Sequence, residues 1–172
     1  STAWLQNHFH AVCFTPTPEQ LPDDAAIAER HNAYYEGKEP SPIDPNDADA
    51  CQRVREQMVD ISAFIGRWEQ QFTVKFNRAH GRQGQLWRGR FKNTILEDRT
   101  ALWDAVKYVE LNAVRAGIVD DPANYRFCSW GRFCGSGRHP FARDFFYHMR
   151  RSLGEEGEAM SDEQIATRLR TA

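Results

Sequence analysis

The chain has 172 residues, 41% of them hydrophobic, 12% aromatic and 27% charged. That length bounds it to one domain and excludes a TIM barrel, which takes about 250 residues. With 22 Lys and Arg against 24 Asp and Glu, the formal net charge of −2 excludes a uniformly basic nucleic-acid coat but leaves room for local patches.

Residues 3–15 mix aromatic and apolar side chains with polar ones and end at Pro16, which predicts a strand with His8 and His10 on one face. Residues 16–50, rich in Pro, Asp and Glu, read as an acidic insertion outside the core. It contains a short helix over 24–34 and a loop through Pro40, Pro42 and Pro45. From 50 to 80 the apolar positions Val54, Met58, Ile61, Phe64, Ile65, Trp68, Phe72 and Phe76 recur at spacings of three and four. They predict one long amphipathic helix ended by Gly81. Residues 84–96 read as a strand, or two joined by a bend at Gly89. Asp98 or Thr100 can cap the next helix, which carries Leu102, Val106, Val109 and Val114 on its apolar face and stops before Gly117. Residues 120–125 form a turn, and a tail from 150 to 172 ends in a helix around 162–170. Residues 1–149 then make a single domain.

No apolar run approaches the roughly 20 residues of a membrane span, and no signal-peptide pattern opens the chain. A cytoplasmic protein without a membrane partner is expected. Cys13, Cys51, Cys128 and Cys134 form no C-x2-C pair, so reduced thiols are expected rather than a zinc site.

Charge is unevenly spread. Between residues 19 and 60, eleven acidic residues face four basic ones (Arg30, Lys38, Arg53, Arg55). Between 67 and 92, Arg67, Lys75, Arg78, Arg82, Arg88, Arg90 and Lys92 face Glu69 alone, interleaved with Trp68, Phe72, Phe76, Trp87 and Phe91. Basic residues among aromatics suit a phosphate backbone with unstacked bases; a helix and strand with solvated charges and core aromatics is the structural alternative.

Two short motifs carry chemistry. In Asn7-His8-Phe9-His10, imidazoles two residues apart on a strand project in parallel and could share a metal ion, or be ordinary surface or core histidines. In Tyr108-Val109-Glu110-Leu111-Asn112, the spacing of four puts Tyr108 and Asn112 on one helical face, with Lys107 and Glu110 flanking it. Such a pair is commonly a packing pair. Beside the histidine strand it would supply a nucleophile and an oxygen ligand. A divalent cation polarises a phosphodiester, and a tyrosine hydroxyl can then displace the 3′-oxygen and store the bond as a phosphotyrosine ester.

These motifs resemble the single-tyrosine HUH transposases, in particular their REP-associated tyrosine transposase branch. Leu5-Gln6-Asn7-His8-Phe9-His10 is similar to the family's M-P-N-H-x-H strand. The stretch from Phe76-Asn77-Arg78 through Leu86-Trp87-Arg88-Gly89-Arg90-Phe91-Lys92 is similar to its F-N-x-x-h…L-W-q-x-R-F-k segment. Lys107-Tyr108 through Asn112-Ala113-Val114-Arg115-Ala116-Gly117-Ile118-Val119 is similar to R-Y-I-x-x-N-P-V-R-A-G-l-V, and Pro122 through Tyr125 to Ser129 to p-x-x-Y-x-w-S-S. The resemblance implies an α+β fold, a ferredoxin-like antiparallel sheet backed by helices. It implies a DNA transposase that cleaves and rejoins single-stranded hairpin DNA through a 5′-phosphotyrosine, with Mg²⁺ or Mn²⁺. By the same resemblance Tyr108 is the nucleophile, His8, His10 and Asn112 are metal ligands, and Arg78, Arg82, Arg88, Arg90, Lys92 and Arg115 are DNA contacts. Arg115 could equally cap its own helix.

The chain departs from the pattern at Gln6 and Ala113, where the family has proline, and in the acidic insertion. Only seven residues precede His8, where the family has a strand and a helix. The vacated sheet position is therefore expected to be filled by another segment or by a second copy in a homodimer. Two other readings stand beside the transposase: a relative that binds structured single strands without cutting, and an unrelated hydrolase using the His-x-His pair to activate water.

Overall fold

The computed structural model describes residues 1–37 and 40–171, and it divides into two compact units: Ser1–Cys13 with Thr94–Ala172, and Phe14–Asn93. Each is described by itself.

The first unit begins with a hairpin, β1 (Thr2–Trp4) and β2 (Phe9–Ala11), paired antiparallel with Thr2 opposite Ala11, Ala3 opposite His10 and Trp4 opposite Phe9. The expected single strand over 3–15 is thus two short ones. Gln6 and Asn7, polar residues suited to a turn, fold the chain back, and the Leu5 N–H donates to the His8 carbonyl at 2.9 Å. An isolated two-stranded hairpin is marginal in water. Here residues 127–129 hold the far side of β1: Ala3 bridges Cys128, the Trp4 N–H donates to the Phe127 carbonyl at 2.9 Å, and the Thr2 N–H donates to Ser129 Oγ at 2.9 Å.

In the second unit, α1 (Asp24–Tyr34) is capped by Asp23, whose carboxylate accepts from the Ala26 N–H at 2.9 Å. Helix α2 (Ala48–Val59) is capped in the same way by Asp47. Ile27, Ala28 and His31 of α1 and Ala50, Cys51 and Val54 of α2 are buried. Helix α3 (Ile61–His80) starts at a third aspartate cap, Asp60, which accepts from Ser62 and Ala63 N–H at 2.7 and 3.1 Å. The expected continuous helix over 50–80 is broken there, because Asp60 adopts an extended backbone and offers its carboxylate to the donors of the next helix. Gly81 ends α3 in the left-handed region at φ 60, as its place in the sequence implies.

Residues 84–96 form no strand. Residues 84–90 lie back on α3: the Asn77 amide donates to the Gly84 carbonyl at 2.9 Å, the Trp87 indole to the Glu69 carbonyl at 3.1 Å, and Arg90 to Ser62 Oγ at 3.0 Å.

The remaining helices belong to the first unit. Asp98 caps α4 (Arg99–Glu110), which buries Trp103, Val106, Val109 and Glu110. A single residue, Leu111 at ψ 0, separates it from α5 (Asn112–Arg115), which Gly117 follows. After a one-turn 3-10 helix at Pro122–Asn124 come α6 (Ser129–Ser136), α7 (Ala142–Ser152), α8 (Glu155–Glu158) and α9 (Asp162–Thr171). The core gathers Ala3 from the hairpin, Trp103, Val106 and Val109 from α4, Trp130 from α6, Phe145, Phe146 and Met149 from α7, and Ile165 and Ala166 from α9. The Trp103 indole donates to Ser152 Oγ at 2.7 Å inside it.

The ferredoxin-like α+β expectation is therefore corrected. The chain is 58% helical with a two-stranded sheet among the described residues. The physical reason is local: one candidate strand folds on itself as a hairpin, and the other satisfies its polar groups and aromatic rings against α3 instead of against a neighbouring strand. Among the described residues no helix is long and apolar enough to cross a membrane.

Candidate functional site

The hairpin and α4 bring three rings of the first unit together. His10 pairs with Ala3, so both side chains leave the sheet on the same face, and Ala3 is fully buried in the core that α4 helps build. Trp4 and Phe9 stack at 5.0 Å on the other face. His10 consequently meets Tyr108 edge to face, with ring centroids 5.4 Å apart. His8 closes the turn before β2 and lies 5.0 Å from His10, the two planes at 89°. Arg115, from the end of α5, sets its guanidinium carbon 4.7 Å from the centre of the Tyr108 ring. Residues about a hundred positions apart thus converge.

Burial, and then the neighbouring His8, push the His10 imidazole below its ordinary pKa, so it stays neutral and able to ligate at lower pH than a free histidine. The Asn7 carboxamide oxygen sits 2.7 Å from His8 Nδ1. With the proton on Nδ1, Nε2 keeps its lone pair, the arrangement in which an outer hydrogen bond orients a metal-binding imidazole. Two imidazoles ligating one cation at about 2.1 Å place their ring centres roughly 5 Å apart, which is the spacing found here. In ring spacing alone the pair matches two ligands of one divalent ion. Among the described residues no third His, Cys, Asp or Glu joins them.

The spacing of four from Tyr108 to Asn112 crosses the break between two helices. Helix α4 stops at Glu110 and Asn112 opens α5, leaving Tyr108 42% exposed and Asn112 buried. Arg78, Arg82, Arg88, Arg90 and Lys92 lie in the Phe14–Asn93 unit, all with exposed side chains. Their interleaved aromatics form a ladder on α3: Trp68, Phe72 and Phe76 stack in succession at 5.5 and 5.9 Å, with Trp87 laid across the first two.

One supporting residue escaped the sequence reading as anything more than a flank. Glu110 is 7% exposed and accepts from the Trp130 N–H at 2.8 Å, near the start of α6, and from the Ser1 hydroxyl. Burial raises its carboxyl above the usual range, while those hydrogen bonds and the positive amino group of Ser1 favour the charged form. It ties the hairpin, the Tyr108 helix and α6 into one body. Its place between Val109 and Leu111 in an apolar run was the signal that could have found it.

In comparisons with known proteins, no family model, no curated protein and no solved structure matched this chain.

Proposed function

We propose that the chain is a metal-dependent DNA strand transferase that cleaves and rejoins single-stranded hairpin DNA through a 5′-phosphotyrosine on Tyr108. The observation that carries this reading is the convergence of His10 and Arg115 on the exposed Tyr108 ring, with His8 beside His10. The sequence resemblance supports it independently of the fold.

His8 and His10 would hold the ion, which when bound polarises the scissile phosphate. The Tyr108 oxygen bonds to phosphorus, the bond from phosphorus to the 3′-oxygen breaks, and the proton given up by the phenol is balanced by the one taken up by the departing 3′-hydroxyl. Arg115 sets a fixed positive charge beside the phenol, where the transferring phosphoryl group accumulates negative charge. Rejoining runs the same step backwards with a different 3′-hydroxyl. Arg78, Arg82, Arg88, Arg90 and Lys92 would track the DNA backbone, with the α3 aromatics offering stacking surface.

Incubating the protein with labelled hairpin single strand and Mn²⁺ or Mg²⁺ is expected to give a denaturant-resistant protein–DNA adduct that Tyr108→Phe does not form. An equal adduct yield from that variant would remove Tyr108 from the chemistry. A second reading, a hairpin binder that does not cut, is favoured by the two-histidine donor set. It predicts salt-sensitive, metal-independent binding that survives His8→Ala, with no adduct from the parent protein.

A further inference from the structure

Contacts of different kinds join the hairpin to α4 within the first unit. Ala3 shares the core with Val106 and Val109, His10 meets Tyr108, and the Ser1 hydroxyl donates to the Glu110 carboxylate. Ser1 lies two residues before Ala3 and opposite Val12, whose N–H donates to the Ser1 carbonyl at 2.8 Å. It therefore leaves the sheet on the face that carries Ala3 and His10.

These contacts differ in what they fix. Burial of an apolar side chain has no direction, and Leu5 and Val12 pack against the same core as Ala3. A hairpin slid by two residues would still offer that core an apolar side chain on the correct face, because side chains alternate with period 2. A hydrogen bond to a carboxylate is directional, and a buried carboxylate that loses its donor is costly. In the slid arrangement Ala3 would face Glu110, and the hydroxyl donor would be gone. Burial sets how deep the hairpin lies; the Ser1–Glu110 bond sets where along α4 it stops.

Glu110 is itself held fast. It is 7% exposed, and its second oxygen accepts from the Trp130 N–H at 2.8 Å. Trp130 directly follows residues 127–129, the segment that braces β1, where Ser129 Oγ accepts from the Thr2 N–H. The carboxylate therefore cannot follow a displaced hairpin without breaking its bond to α6.

We propose that Glu110 is a positioning residue: its carboxylate fixes the hairpin on α4 and so holds His10 at the ring of Tyr108, two positions earlier on the same helix. An edge-to-face pair of rings is weak by itself. The 5.4 Å approach of His10 to Tyr108 is then a consequence of the hydrogen bond made at Ser1. What this does for strand transfer rests on the reading above; the placement of the rings does not.

The full chain is tested by nuclear magnetic resonance, through the Overhauser cross-peak between His10 and Tyr108 ring protons, and by the adduct assay. Ser1→Ala removes the donor, whereas Ser1→Thr keeps a hydroxyl. Glu110→Leu removes both acceptors. Glu110→Gln keeps one oxygen for the Trp130 N–H, and its amide donates to the Ser1 hydroxyl instead. Ser1→Ala and Glu110→Leu are expected to weaken or abolish the cross-peak, and Ser1→Thr and Glu110→Gln to retain it. In Ser1→Ala the amide shifts of α7 and α9 should stay those of the parent, and adduct formation at saturating DNA should fall by about tenfold or more with KM unchanged. If the parent protein forms no adduct, loss of the cross-peak in Ser1→Ala still upholds the positioning role while the strand-transfer reading fails. An unchanged cross-peak in Ser1→Ala overturns the proposal, whether or not Glu110→Leu folds, and so does its loss in Glu110→Gln.

Discussion

The two units use aromatic residues in opposite ways. In the first, Trp103, Trp130, Phe145 and Phe146 are all under 10% exposed and surround titratable groups, so Glu110 and His139 are enclosed with them. In the second, Phe64 is 60% and Phe72 39% exposed, and the ring ladder on α3 is only partly covered by Trp87. The difference teaches that interleaved basic and aromatic residues do not by themselves specify a surface or a core. What decides is whether other elements arrive to cover the rings. Here α7 and α9 do so for the first unit. One unit should then be sensitive to volume and pH, the other tolerant of both.

Gly131→Ala breaks the comparison most directly. A Cβ there would stand 2.1 Å from the Tyr125 carbonyl oxygen and 2.9 Å from that of Pro122, both backbone atoms that cannot swing aside. A loss of about 3 kcal/mol or more is expected in denaturant unfolding. A near-neutral result would mean that α6 and the 3-10 turn are not packed as described.

Acidification should act through His139. It is 5% exposed, stacks on Phe145 at 4.1 Å, accepts the Phe141 N–H at Nδ1, and has no partner at Nε2 among the described residues. Burial lowers its pKa to about 4. The unfolded chain, with an ordinary histidine near pH 6.5, therefore binds the extra proton first. Stability contributed by the neutral ring is present above pH 6.5 and lost as the pH falls toward 4, by about 3 kcal/mol at most. Chemical denaturation at pH 7 and pH 4.5 measures the loss, and His139→Phe should flatten the slope. An unchanged slope in that variant moves the pH dependence to another group.

The smallest effect belongs to the second unit and has the opposite sign. Gly66 is exposed in the interior of α3 with nothing within 4 Å of its missing Cβ. Gly66→Ala should add about 1 kcal/mol of helix stability, read from a raised melting temperature.

What was legible in the sequence follows the range of the forces involved. Helix α1 spans 24–34 as expected, and Gly81, Asp98 and the terminal helix are where the chain implies, because caps and left-handed stops act over three or four residues. Asp60 carried the same kind of signal, but the apolar spacing running through it concealed the break. Residues 84–96 resemble a strand in composition and fold as a loop, since strand formation needs a partner that composition does not reveal. Of the candidate site, the nearness of His10 to Tyr108 could not come from spacing. It depends on Ala3 entering a core built by the other end of the chain.

The short ladder carrying His10 has a consequence for how the protein comes into being. Its rungs depend on residues 127–129, which leave the ribosome well over a hundred positions after β1. A nascent chain arrested near residue 120 would own both imidazoles and the phenol, yet lack the brace that aligns them. Truncated translation products would accordingly leave these three side chains unaligned, and their mutual placement would come only with the finished fold.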